Sequence, residues 1–339
     1  MHVLISHNSA LELFRSNPQF PSRTPGICDP LAVPTHSIHP RTIGTLRERA
    51  GMFRTGAGSL HILVAGRISK SHSPDLVIHN TAMNLLPAGL VRQLEHDLYA
   101  CGPELCYAQM AYRHPELPLI VLGYELCGSY SHFALPISGF YRRQPLTSRS
   151  RIEMSLDMLT QMRGVQPARR ALHHVLDGSA SPMETVIACA LTLPTEVGGQ
   201  GFAKPLLNHE VVLDDVGRRL TGTGTCRIDA AWPDLRFGLE YDSDMYHPDP
   251  AKDRRRREAL AHQGWNIYTV DTAQIRRYSE LEKTIALVDG MVSRKKRPDP
   301  ATARRLFSTL MKLTRANLGL EPALFSVPVV RGAIPYYVN

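Results

Sequence analysis

Two short segments carry carboxylates at spacings that suit metal chemistry. CRIDAAWP holds Asp229, and FGLEYDSDMYH holds Glu240 and Asp242. On a β-strand residues i and i+2 share a face, so Glu240 and Asp242 point one way while Leu239 and Tyr241 point the other. The turn at Pro233 and Asp234 lets the two segments pair as a hairpin, which brings Asp229 toward Glu240. Carboxylates crowded into one site repel, and a divalent cation is the usual means of keeping several ionised. Mg2+ takes oxygen ligands and keeps part of its water shell, so two or three carboxylates suffice. A cation so held can activate water and offset charge on a phosphoryl group, which is the chemistry of phosphodiester hydrolysis.

Other residues near this set have both a chemical and a plain reading. Glu184 stands three residues after Ser181, with Pro182 at the first helical position; that is a helix-start signature as well as an upstream acid. Asp229 alone would suit a strand-end turn, and Asp242 a loop cap. His247 lies in a proline-bounded loop, where it is either a surface histidine or a general acid–base with an ordinary pKa near neutrality. Lys252 supports the reacting centre or lies on a solvated face. Arginines keep their proton, so their fitting role is bidentate phosphate contact.

Positive charge is local. The chain of 339 residues has a formal charge of +8. Arg294, Lys295, Lys296, Arg297, Arg304, Arg305, Lys312 and Arg315 are opposed in their window only by Asp299. A second concentration, Lys252 with Arg254, Arg255, Arg256 and Arg257, surrounds Asp253. Such patches suit a polyanion such as DNA, and Lys252, Arg254, Arg256, Arg257 and Arg294 to Arg297 are the expected backbone contacts. With 43% hydrophobic and 21% charged residues, a mostly disordered chain is excluded. No apolar run has membrane-spanning length, and the N-terminus is interrupted by His7, Asn8, Glu12 and Arg15, so the expected location is cytoplasmic with no membrane partner. The six cysteines form no C-x-x-C pair, which leaves zinc-finger and thioredoxin readings without support.

The elements that must position these residues follow from periodicity and turn signals. Strands are expected at Leu60–Ala65, Asp75–His79 and Leu119–Leu122, with a helix after Pro103 and loops over Asn17–Thr42 and Gly66–Pro74. One or two helices are expected in Arg151–Leu176, then a helix over Pro182–Leu193. Strands follow at Val211–Leu213, Arg227–Ala231 and Arg236–Tyr241. A helix over Asp253–His262 ends at Gly264, a strand covers Trp265–Val270, and a last helix covers Ser279–Val288. This order is α/β with a mixed central sheet.

The run RIDAAWPDLRFGLEYDSDMYH followed by KDRRRREALAHQGWNIYTV resembles the core of PD-(D/E)XK nucleases, nearest to the branch of very-short-patch-repair endonucleases and their small bacterial relatives. The features that carry the resemblance are Asp229, Glu240, Asp242, His247, Asp253, Arg256, Arg257, Gly264 and Trp265, with Glu184 matching an upstream acid. It covers 179–290. Asp242 stands where the usual pattern has lysine, and Ser243 where many relatives have glycine. The N-terminal half, with LHILVAGR and DLVIHNTA, is distantly similar to AbiEi-type antitoxin-like proteins.

The resemblance implies a restriction-endonuclease-like core with a mixed sheet flanked by helices, and a separate N-terminal α+β domain. The implied organisation is an N-terminal domain over 1–150, a helical connector over 151–178, a nuclease-like domain over 179–290 and a basic extension over 291–339. The implied activity is Mg2+-dependent, or Mn2+-dependent, hydrolysis of DNA. Asp229, Glu240, Glu184 and Asp242 would lie at the metal, and His247 would assist proton transfer. DNA is the expected partner, with a homodimer or protein contact through the N-terminal domain. The alternatives are a catalytically inactive, nuclease-like DNA-binding or antitoxin-like regulator, and an α/β interaction protein without chemistry.

Overall fold

The computed structural model describes residues 2–16, 29–50, 59–66, 73–132, 140–242 and 250–314. Two compact units divide the chain after Val175, and the second spans Leu176–Thr314. Both are α/β, with mixed sheets flanked by helices.

The first unit opens with β1 (Val3–Ile5), α1 (His7–Ser16), β2 (Leu31–Ala32) and α2 (Ile43–Arg49). Strands β3 (Leu60–Ala65), β4 (Leu76–Thr81), β5 (Leu85–Leu86), β6 (Val91–Glu95) and β7 (Leu98–Cys101) follow. Helices α3 (Pro103–Ala111) and α4 (Glu116–Cys127), the hairpin β8 (Tyr130–His132) and β9 (Phe140–Arg142), and helices α5 (Arg149–Met158) and α6 (Val165–Leu172) complete it. Its main sheet has the order β4-β3-β1-β7-β6. Strand β1 runs parallel to β7 and antiparallel to β3, so the sheet is mixed. The helices expected as a connector, α5 and α6, belong to this unit.

Leu119–Leu122 is not a strand: it lies inside α4, which is buried from Pro118 to Cys127. A short continuous apolar run fits a buried strand and a buried helix equally, and alternation cannot separate them. Here burial continues through Gly123, Tyr124 and the ion-paired Glu125 to Cys127, long enough for a helix enclosed on all sides.

The second unit contains α7 (Pro182–Thr192), β10 (Leu206–Val212), α8 (Asp215–Thr221), β11 (Thr225–Trp232), β12 (Phe237–Asp242), α9 (Pro250–His262), β13 (Asn266–Asp271), α10 (Thr272–Arg276), α11 (Tyr278–Met291) and α12 (Pro300–Thr314). Its sheet order is β10-β11-β12-β13. The first three strands are antiparallel neighbours, whereas β12 and β13 are parallel and joined through α9. Helix α8 was not among the sequence-based expectations, although its signals are ordinary. Asp214 caps it by accepting from the Gly217 amide at 2.7 Å, and Gly222 closes it at φ 72°. Gly264 ends α9 in the same way at φ 80°.

The core beside α9 joins Val211, Leu213, Cys226, Ile228 and Ala231 of the sheet side to Ala259 and Leu260 of the helix. Gly238 is required there: a Cβ would stand 2.6 Å from Ile228 Cγ2 and 2.9 Å from Ile267 Cδ1. Trp232 donates its indole N–H to the Ala203 carbonyl at 2.8 Å. No helix among the described residues is long and apolar enough to cross a membrane.

Candidate active site

The hairpin expected from the turn at Pro233 sets the site. Strands β11 and β12 pair antiparallel, with Ala230 opposite Leu239 and Trp232 opposite Phe237. The paired register ends at Ala230 and Leu239, one step short of Asp229 and Glu240, and the ladder changes there. Asp229 Oδ2 accepts from the Tyr241 amide at 2.7 Å, so a carboxylate replaces a backbone carbonyl as the partner of that N–H. On the other side of β11, His209 pairs with Ile228 and Leu207 with Ala230, which puts Asn208 opposite Asp229. Asn208 has φ 48°, a left-handed conformation that asparagine tolerates better than most side chains.

Asn208 is the residue that sequence reasoning missed. Its amide Nδ2 donates to Glu184 Oε2 at 2.7 Å and to the Gly178 carbonyl at 2.8 Å. The available signal was an asparagine interrupting an otherwise strand-like run, LLNHEVVL. Glu184 is placed by the start of α7, where Ser181 accepts from its amide. The same carboxylate takes the Ala180 amide on Oε2 at 2.8 Å and the Ser181 hydroxyl on Oε1 at 3.0 Å. Burial, and then the negative charge of Asp229, push the Glu184 carboxyl up to about 7, against the opposing pull of those hydrogen bonds.

Glu240 meets a cation of the protein itself. Arg256 of α9 places Nη1 2.5 Å from Glu240 Oε2, with the two side chains 28% and 13% exposed. Its Nη2 donates to the Arg227 carbonyl. The second oxygen of Glu240, Oε1, is buried and has no hydrogen-bond partner. Asp242 ends β12 in register with Asp271, and the Asp271 side chain caps α10. His247 lies outside the described residues.

These donors suit a hard divalent cation in kind: carboxylate oxygens, one of them unpartnered. Glu184 interacts with Asp229, and Asp229 and Glu240 both interact with Arg256. Among the described residues no three His, Cys, Asp or Glu side chains stand where one metal ion could reach them all. Asp229 and Glu240, with water completing the shell, are the pair that would hold such an ion.

The basic residues divide by use. Lys252, Arg254 and Arg257 are exposed on α9, with Arg254 3.8 Å from Glu258 on the same helix. Lys295 and Lys296 are exposed between α11 and α12. Arg294, expected among the phosphate contacts, is engaged within the unit. It meets Asp289 through two bonds of 2.6 and 2.9 Å, bonds the Gln200 side chain, and lies 4.8 Å over the Phe202 ring with 7% exposure. Arg297 reaches Asp289 at 2.6 Å but stays 77% exposed.

The first unit has buried polar clusters of its own, two of them distinct in chemistry. His7, at φ 49°, stacks on His79 with ring centroids 3.4 Å apart, and His61 Nδ1 lies 2.8 Å from His79 Nε2. Burial, reinforced by neighbouring cations, lowers His61 to about 4 and His79 to about 3, and lowers His7 as well. In the second cluster Arg15 and Glu125 form a fully enclosed pair, with bonds of 2.8 and 2.5 Å. Burial opposes ionisation of Glu125, and Arg15 with His132 and Arg143 together outweigh it, holding the carboxyl at about 2.

Fold and site together define a two-unit α/β protein with an acidic strand pair under a basic helix. Comparison with known proteins adds two relatives, uncharacterized protein MT2308 and uncharacterized protein Rv2248, from two strains of Mycobacterium tuberculosis. Each is 27% identical over 135 residues, 38% of this chain and 44% of the relative. The match therefore spans less than half the length of either relative. No family model matches the chain, and no solved structure matches it.

Proposed function

We propose that the second unit is a restriction-endonuclease-like core that hydrolyses DNA phosphodiester bonds with a divalent cation, Mg2+ or Mn2+. The observation that carries the reading is the strand pair: just beyond the paired Ala230 and Leu239, Asp229 bonds the Tyr241 amide, and Asp229 and Glu240 both interact with Arg256. The buried acid Glu184 interacts with Asp229, and the exposed cations of α9 lie close by in sequence to Arg256, which touches Glu240. Glu240 and Asp229 hold the cation with water completing its shell, Glu184 acts on that shell through water, and Asp242 orients water. When bound, the cation lowers the pKa of water and neutralises charge at the phosphoryl group. Lys252, Arg254 and Arg257 draw in the DNA backbone, with a salt-dependent contribution to affinity. His247 remains the proposed proton carrier.

The informative variant is Glu240→Gln, which keeps shape and removes charge. It is expected to abolish cleavage of a panel of plasmid, linear, nicked, mismatched and single-stranded DNA in Mg2+ or Mn2+, with circular dichroism unchanged. Equal cleavage by parent and variant, after removal of contaminating nuclease, would reject the site. A second reading has its own support: Arg256 already neutralises Glu240, as expected of an inactive, nuclease-like DNA-binding or antitoxin-like regulator. A parent that binds the panel and cleaves none of it would establish that reading instead.

A further inference from the structure

The contact between Arg256 and Glu240 has an unusual form for a purely structural ion pair. A guanidinium matched to a carboxylate forms two parallel bonds, one to each oxygen. Here Nη1 bonds Oε2, Nη2 is turned to the Arg227 carbonyl, and Oε1 is left buried without a partner. An unsatisfied buried carboxylate oxygen is costly, and the guanidinium leaves Glu240 only half satisfied. Arg256 also interacts electrostatically with Asp229, so one unit charge faces two carboxylates. A divalent ion would match that pair better. It cannot simply join the guanidinium, because two cations on one carboxylate repel across a short, poorly hydrated distance. Arginine cannot relieve the conflict by losing its proton, so it must move. The contact lies at the surface side of α9, with the Arg256 side chain 28% exposed, and exposed Lys252 and Arg257 lie on the same helix. A planar guanidinium leaving a carboxylate there finds its best alternative partner in a phosphodiester.

We propose that Arg256 is a built-in counter-cation for Glu240. A divalent cation and the guanidinium compete for this carboxylate, and a DNA phosphate that takes the guanidinium frees Glu240 for the cation. Arg256 is thus a positioning residue that makes cation and DNA binding mutually reinforcing. The inference rests on the function proposed above. It adds a thermodynamic requirement: DNA must raise cation affinity by the same factor by which the cation raises DNA affinity.

The test measures Mn2+ binding to the full chain by electron paramagnetic resonance of the free ion, with and without a short DNA duplex. In the wild type the duplex should tighten Mn2+ binding about tenfold, a typical coupling of about 1.4 kcal/mol. Arg256→Gln should bind Mn2+ about tenfold more tightly without DNA, and the duplex should then add about twofold or less. Arg256→Lys keeps the competing charge and should stay within about threefold of wild type without DNA. A merely structural arginine would give the opposite sign, since its loss would loosen the site. If wild type binds Mn2+ through Glu240, as judged by loss in Glu240→Gln, yet Arg256→Gln binds no more tightly, the counter-cation role is overturned and the cation site survives. If neither wild type nor any variant binds Mn2+, both proposals fall. Should Arg256→Gln not fold, the wild type decides alone: Mn2+ affinity unchanged by the duplex overturns the coupling.

Discussion

Glu184→Gln should stabilise the second unit at alkaline pH, and the size of the effect follows from where the carboxylate sits. Its folded pKa of about 7 lies above the ordinary carboxyl value of 4.5. The native state therefore binds more protons than the unfolded chain between those values, and stability falls as pH rises. The contribution is fully present below about 4.5, and is lost as pH passes through about 7. A displacement of this size corresponds to on the order of 3 kcal/mol against the folded unit once Glu184 is ionised. Glutamine removes that term, and the local hydrogen bonds can be kept. Its oxygen, placed as Oε2, still accepts from the Ala180 amide and Asn208. Its NH2, placed as Oε1, donates to the Ser181 hydroxyl, which turns round. Both tryptophans of the chain, Trp232 and Trp265, lie in this unit, so tryptophan fluorescence during urea unfolding reports on it selectively. In EDTA, the wild-type midpoint should fall from pH 5 toward pH 8 while that of the variant stays level, with the variant more stable at pH 8 by on the order of 2 kcal/mol. A flat wild-type profile, or a variant less stable at pH 8, would refute the account of Glu184 as an acid raised by burial and then by Asp229.

Two further predictions concern stability. Arg294→Ala should lower the stability of the second unit by about 2 kcal/mol or more, because it removes two bonds to Asp289 and one to Gln200 and uncovers Phe202; Arg297→Ala, at an exposed end of the same cluster, should cost under about 1 kcal/mol. Tryptophan-monitored urea unfolding checks both, and equal effects would sink the assignment of Arg294 as a strut. The histidine cluster should make the first unit acid-labile. Its folded pKa values lie below the usual 6.5, so the stabilisation is present above about 6.5 and is lost as pH falls toward 4 and 3. The fall attributable to His61 is on the order of 3 kcal/mol, with burial first, and then Arg47 and Arg113, opposing its protonation. Near-ultraviolet circular dichroism across this window should show the loss, and His61→Gln with His79→Gln should flatten it; an unchanged profile in the double variant would contradict the cluster's role.

Much of the second unit was legible because its signals are local. Alternation located β11 and β12, Pro233 marked their turn, Ser181 and Glu184 marked the start of α7, and Gly264 marked the end of α9. Given a hairpin turning at Pro233, the strand segments bring Asp229 and Glu240 to the same end of the pair, just beyond Ala230 and Leu239. What alternation could not separate was a strand from an enclosed helix at Leu119–Leu122, since neither has a polar face. The partners of the charged groups were also beyond the sequence. Arg256 and Arg294 belong to runs of similar basic residues, and only packing selects Arg256 for Glu240 and Arg294 for Asp289 and Phe202. Asn208 acquires its role because two neighbouring strand registers set it opposite Asp229 and within reach of Glu184. Residue type and spacing determined which groups could carry charge and which face of a strand they occupy. Tertiary structure decided which charges meet and which lose water, because both depend on contacts between segments far apart in the chain.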